Sequence, residues 1–203
     1  MAHPPFALLY DYRCPFARNV HEHVVAAMET GLDLDVTFVP YTLDQGHVED
    51  GSPAVWDDPA YDDRLLALEI SVAVRDNFPE KFLDLHAALF EARHAKGIAL
   101  TTREQLTAIM EARDIDADAV YDLVATGAPR RVIADAWIHY HDDLDVFGVP
   151  TFVLDDADAT FIRLMHGPDQ EDRAKSQAVI SQLLDLIALQ PEINELKHTR
   201  LAR

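Results

Sequence analysis

The spacing of apolar residues changes repeatedly along this chain. Phe6 to Tyr10 (Phe-Ala-Leu-Leu-Tyr) is one short apolar run between His3-Pro4-Pro5 and Asp11, which predicts a buried strand. Phe16, Val20, Val24, Ala27 and Met28 then recur at three- and four-residue intervals, with Pro15 at the head and Gly31 at the end, which predicts a helix. Leu34 to Val39 reads as a second strand stopped by Pro40. Strand, helix and strand in so short a span form a βαβ unit with parallel strands and a right-handed crossover.

Tyr41 to Pro59 has no periodicity and is predicted to be a long loop of the kind that often carries function; Trp56 lies in it. From about Ala60 to Asp145 the pattern is helical, with four or five helices expected. Phe82, Leu85, Leu89 and Phe90 form one stripe. Thr101 and Glu104 have the spacing of a capping box ahead of Leu106, Ile109 and Met110, Asp116 is an expected cap, and Gly127 and Pro129 separate two further helices. The period then returns to that of strands. Val149 to Leu154 and Thr160 to Met165, joined by a turn at Asp155 to Asp158, predict an antiparallel hairpin, and Asp169 to Leu189 predicts a last helix.

This order gives three segments. Residues 1–41 form the first half of an α/β core, residues 42–145 a loop and a helical insertion, and residues 146–203 the second half of the core with a tail. Closing the βαβ and ββα parts on each other gives one four-stranded mixed sheet of thioredoxin-like type.

At 203 residues and 49% hydrophobic composition the chain can bury a full core without a metal or disulfide staple. Its 17 basic and 36 acidic residues leave a formal charge of −19, which argues against nucleic acid and against anionic membrane surfaces as partners. No apolar run is long enough to span a bilayer, and the N-terminus lacks the basic and apolar regions of a signal peptide, so a cytoplasmic, reduced setting is expected.

The single cysteine, Cys14, excludes an internal disulfide and a two-thiol cycle within one chain. It directly follows the first predicted strand and opens the first helix, where unpaired N–H groups and the helix dipole favour a thiolate. Arg13 beside it and Arg18 one turn on are expected to add positive charge and lower the thiol pKa further. The plain alternative is an ordinary buried cysteine. No metal site is expected: His21 and His23, like His139 and His141, are spaced to face different ways, and Glu91 with His94 is half of a carboxylate–histidine pair without a second half. The nucleophile elbow of serine hydrolases is absent. Asp57-Asp58 and Asp142-Asp143 read as solvated surface.

Asp11-Tyr12-Arg13-Cys14-Pro15-Phe16-Ala17 resembles the active-site motif of the DsbA-like branch of the thioredoxin superfamily, and Gly148-Val149-Pro150-Thr151-Phe152 resembles its cis-proline segment. The helical insertion sits where that branch carries one. Two subgroups are most similar. Met165-His166-Gly167-Pro168 and Asn194 to Arg200 resemble segments of actinobacterial mycothiol-dependent reductases. Kappa-class glutathione transferases and hydroxychromene-carboxylate isomerases carry Ser at the Cys14 place and a Gly-x-Asp-Arg segment that contacts the thiol cofactor; here it reads Gly167-Pro168-Asp169-Gln170, without the Arg.

The resemblance implies an oxidoreductase in which Cys14 is catalytic, while Tyr12, Arg13, Pro15, Phe16, Val149, Pro150 and Asp169 bind substrate or thiol. Tyr12, Phe16 and Trp56 would wall an apolar pocket unless they are plain packing. Ala17 stands where the redox family has its second cysteine, so a mixed disulfide on Cys14 must be resolved from outside. The expected co-substrate is a small thiol, mycothiol or glutathione, with no bound cofactor. The expected partners are that thiol and a small substrate, and the apolar face of the insertion would suit a homodimer. Two other readings stay open: a transferase or isomerase in which a bound thiol is the nucleophile and Cys14 only contacts it, and a non-enzymatic binding descendant.

Overall fold

A computed structural model describes residues 3–154 and 158–198. Strand β1 (Phe6–Tyr10) is buried along its whole length, as its unbroken apolar run requires. Helix α1 (Pro15–Glu29) follows, and Gly31, at φ 108°, ends it in a conformation that side-chain-bearing residues avoid. Strand β2 (Val36–Pro40) pairs parallel with β1, Phe6 opposite Val36 and Tyr10 opposite Pro40. Pro40 ends this strand at the sheet edge, where its missing N–H removes no ladder bond from a further strand.

After the loop, short 3-10 turns at Gln45–His47 and Pro59–Tyr61 lead into the insertion, which contains α2 (Asp62–Asn77), α3 (Pro79–His94), α4 (Arg103–Glu111), α5 (Ala117–Ala125) and α6 (Ala128–Ile138). A π-helical turn at His139–Asp143 follows. Strands β3 (Thr151–Leu154) and β4 (Asp158–Phe161) form the hairpin, and α7 (Lys175–Leu189) packs along α1. The sheet order is β2-β1-β3-β4, with β3 antiparallel to both neighbours. This is the thioredoxin-like arrangement with a helical insertion that the element order implied.

Four boundaries differ from expectation, each for a local reason. The cap of α4 is Thr102 rather than Thr101: its Oγ1 accepts from the Gln105 amide, while the Gln105 carboxamide oxygen accepts from the Thr101 N–H. The reciprocal box therefore runs one residue later and uses Gln105 in place of Glu104. The hairpin strands are shorter than predicted, because Val149 and Pro150 turn into the sheet and Ile162 to Met165 run past its end; the turn predicted at 155–158 lies mostly outside the described residues. Strand β2 starts at Val36, two residues later than predicted. Helix α7 begins at Lys175 rather than Asp169, since Asp169 and Asp172 form a polar turn held by the Lys175 ammonium.

Candidate active site at the head of helix α1

The corner between β1 and α1 is a tight turn in which the Cys14 N–H donates to the Asp11 carbonyl at 3.0 Å. Cys14 is the residue that caps α1, with extended backbone, and Pro15 occupies the first helical turn where no N–H is needed. Its Sγ accepts from the Ala17 N–H at 3.4 Å and donates to the Val149 carbonyl at 3.2 Å. The Val149–Pro150 peptide is cis, and the Thr151 hydroxyl braces this segment by donating to the Gly148 carbonyl at 2.7 Å. The structure therefore brings together Cys14, Pro15, Val149 and Pro150, residues separated by more than half the chain.

The thiol does not stand below its ordinary range, as was expected from its neighbours. Burial pushes it up; the Ala17 and Phe16 backbone amides pull down, Asp11 pushes up and Arg163 pulls down, and burial prevails. Cys14 is only 7% exposed. The two expected cations are committed elsewhere. Arg13 donates from Nη2 to Asp11 at 2.8 Å and from Nη1 to Asp44, and Arg18 donates to Glu22 at 2.6 Å. Asp11, itself buried, also accepts from the Leu43 and Arg13 backbone amides at 2.9 Å, and Asp44 binds Arg64 as well. Arg13 thus ties the corner to the 41–58 loop.

Behind the corner lies a buried polar chain. His21 Nε2 lies 3.3 Å from the Leu9 carbonyl, and His21 Nδ1 lies 2.8 Å from His86 Nε2. His86 Nδ1 in turn lies 2.8 Å from the Tyr12 hydroxyl. A carbonyl only accepts, so His21 carries its proton on Nε2 and its Nδ1 is an acceptor. His86 must then donate from Nε2, and Tyr12 must donate to His86 Nδ1. Both rings are neutral: burial drives His21 down to about 3, and burial together with His21 holds His86 well below its ordinary value. On the other side, His94 Nε2 donates to the Tyr12 backbone carbonyl at 2.8 Å. Helix α3 therefore grips Tyr12 at both its side chain and its backbone.

The remaining expected residues fall in different places. Tyr12 is 2% exposed and packs on Tyr10, His86 and Phe90, so it is core rather than an open pocket wall. Phe16 is half-buried and lies under the Arg163 guanidinium, 4.5 Å from ring centroid to Cζ. Trp56 packs on Trp137 at 5.9 Å in the loop–insertion contact. Asp169 is exposed, bound to Lys175 at 2.8 Å and to the Glu171 amide, and none of its hydrogen bonds or ion pairs reaches the Cys14 corner. Arg163 was missed; a lone Arg between strand residues carries no signal until the fold places it. His21 and His86 did carry one, since His86 sits inside the apolar stripe of α3. Among the described residues, no group of three or more His, Cys, Asp or Glu side chains is placed to hold a metal ion, and no helix is long and apolar enough to cross a membrane.

A family model for the DSBA-like thioredoxin domain matches residues 7–178. No curated protein matches. Among solved structures, a probable DsbA oxidoreductase from Streptomyces coelicolor superposes with a TM-score of 0.60 at 18% identity, covering 97% of this chain and 94% of that one. A DsbA from Pseudomonas aeruginosa gives 0.57 at 18% identity over 92% and 88% of the two chains. A 2-hydroxychromene-2-carboxylate isomerase gives 0.58 at 14% identity over 90% and 97%. At these identities the superpositions establish the fold.

Proposed function

The chain belongs to the DSBA-like thioredoxin-domain family of thiol–disulfide oxidoreductases, and we propose that within it the protein works as a monothiol enzyme centred on Cys14. The observation that carries this reading is the placement of the chain's one sulfur at the head of α1. It lies between the Ala17 amide and the carbonyl that precedes cis-Pro150, with Ala17 where a second thiol would stand.

The resting thiol is held protonated by burial and by its bond to the Val149 carbonyl. An incoming extended ligand whose N–H takes that carbonyl removes the proton's acceptor. The proton then passes to water, and the Ala17 and Phe16 amides remain to hold the sulfur as thiolate. The thiolate attacks one sulfur of a disulfide, forming the Cys14 mixed disulfide and releasing the other half as a thiolate that takes a proton from water. An external thiolate then attacks the ligand sulfur of that mixed disulfide, forming a new disulfide and returning Cys14 to its starting state. The net reaction exchanges one thiol for another within a disulfide, without net electron gain or loss.

Mycothiol or glutathione serves as the external thiol in this reading, with no resident cofactor. The charge of −19 supports small-molecule partners over nucleic acid, in a reducing cytoplasmic setting. The roles of Arg13 and Tyr12 are to position the corner; Phe16, Val149 and Pro150 face the ligand.

One observation favours a second reading. A thiol that rests protonated and donates its hydrogen suits a residue that hydrogen-bonds a bound thiol cofactor rather than attacking for itself, as a kappa-type transferase or isomerase would require. Intact-mass spectrometry after exposure to oxidised mycothiol and oxidised glutathione separates the two. The monothiol reading expects a mixed-disulfide adduct on the native protein and none on Cys14→Ser, with loss of exchange activity. Absence of an adduct with both reagents, or full activity of Cys14→Ser, would overturn it.

A further inference from the structure

The two cations nearest Cys14 in the chain are neutralised by the protein itself, but Arg163 is not. Arg13 is held by Asp11 and Asp44, and Arg18 by Glu22. Arg163 has no hydrogen bond or ion pair among the described residues, in a chain with 36 acidic side chains and only 17 basic ones. Its guanidinium instead lies over aromatic rings, with Cζ 4.5 Å from the Phe16 centroid and 5.6 Å from that of Phe161. Such cation–π contact seats the group while leaving its N–H donors without a protein acceptor among the described residues.

The strand register brings this residue to the sulfur. Phe161 pairs with Thr151, and the Ile162 N–H donates to the Pro150 carbonyl at 3.2 Å. Arg163 is the next residue, near enough to Cys14 to pull on its thiol, and the Val149 carbonyl that precedes Pro150 accepts from that same thiol. Phe147, 76% exposed, packs on Phe161 at 5.1 Å and extends the apolar wall on the same side. A thiol, a backbone carbonyl, aromatic rings and an unpaired cation therefore lie together at this corner.

We propose that Arg163, seated on Phe16 and Phe161, is a specificity-determining residue that binds a carboxylate of the disulfide or thiol presented to Cys14. The substrate class is thus a small sulfur compound that carries a carboxylate, with an apolar portion against Phe16 and Phe147. A guanidinium matches a carboxylate with two parallel N–H donors, which orients the ligand as well as attracting it. This rests on the monothiol reading for the role of Cys14, while the anion site itself does not require that Cys14 attack.

Two aromatic disulfides of similar shape test it. Dithiobis-nitrobenzoate carries a carboxylate on each half, and dithiodipyridine carries none. The readout is the ratio of their rates of reaction with Cys14, because any change in thiolate fraction affects both alike. Arg163→Gln is expected to lower the ratio about tenfold, the size of one charge-assisted contact at a partly solvated site. Arg131→Gln, which makes the same change in net charge at an exposed position on α6, should leave the ratio unchanged. An unchanged ratio in Arg163→Gln, or an equal drop in both variants, overturns the proposal. Binding of the free nitro-thiobenzoate half to Cys14→Ser, with and without Arg163→Gln, separates the two readings. Arg163-dependent binding without reaction in the native protein would leave the anion site standing and remove the monothiol mechanism; binding that ignores Arg163 removes the anion site whatever Cys14 does.

Discussion

Replacing His86 by Leu should be among the most damaging single changes available in this protein. The ring is fully buried and fills a space bounded by Phe38, Phe82, Phe90, Tyr10, Tyr12 and His21, and leucine fits that space in size but not in chemistry. It removes the acceptor of the Tyr12 hydroxyl and the donor to His21 Nδ1. Two buried polar atoms are left without partners, at about 1–3 kcal/mol each, so a loss of roughly 4 kcal/mol is expected. For a domain of this size that corresponds to a fall in melting temperature of about 8–16 °C. Tyr12→Phe alone leaves only His86 Nδ1 unpaired and should cost about 1–3 kcal/mol. In the double variant Tyr12→Phe with His86→Leu, only His21 Nδ1 is orphaned. Its loss should therefore fall short of the sum of the single losses by the cost of two orphaned atoms, about 2–6 kcal/mol. Urea titrations of the four proteins measure the cycle. If His86→Leu lies within about 1 kcal/mol of the native protein and the two changes add, the polar chain is not a coupled unit and the reasoning fails.

The same chain fixes a pH dependence. His21 and His86 bind their protons less readily folded than unfolded, so stability is full above an ordinary histidine pKa of about 6.5. It falls as pH drops from there toward about 3, by about 1.4 kcal/mol per unit for each ring. A urea midpoint that stays level from about pH 7 to about pH 5 would contradict this. Asp44→Asn removes the shared partner of Arg13 and Arg64. Because Arg64 is half exposed, the loss is expected to be no more than about 3 kcal/mol, and hydrogen exchange should quicken first at the Leu43 amide and along the 41–58 loop. Exchange rates unchanged there would mean that the loop is held by other contacts.

What could be read from the sequence was what is local. Phe6 to Tyr10, Pro15, Gly31, Asp116 and Gly127 each act on their own neighbourhood, and the elements they define stand within a residue or two of expectation. The hairpin ran short because register is decided by the partner strand: β3 meets β4 only from Thr151, where the chain leaves the turn braced by the Thr151 hydroxyl. The thiol was misjudged for a related reason. Adjacency of Arg13 to Cys14 in the chain does not say where a long side chain points, and Asp11 and Asp44 draw it away. The polar chain joins residues 65 and 74 positions apart, and Arg163 meets Phe16 only through the fold. Such pairings have no footprint in periodicity.

The double grip of α3 on Tyr12 has a consequence for anyone who would rebuild this protein. Because His86 and His94 hold the residue two places before Cys14, the insertion is part of the reactive corner and not a detachable cap on it. A chimera that keeps the sheet and exchanges residues 42–145 for another helical block would inherit the cysteine yet lose its footing. Transplantation should succeed only when the corner and α3 travel together.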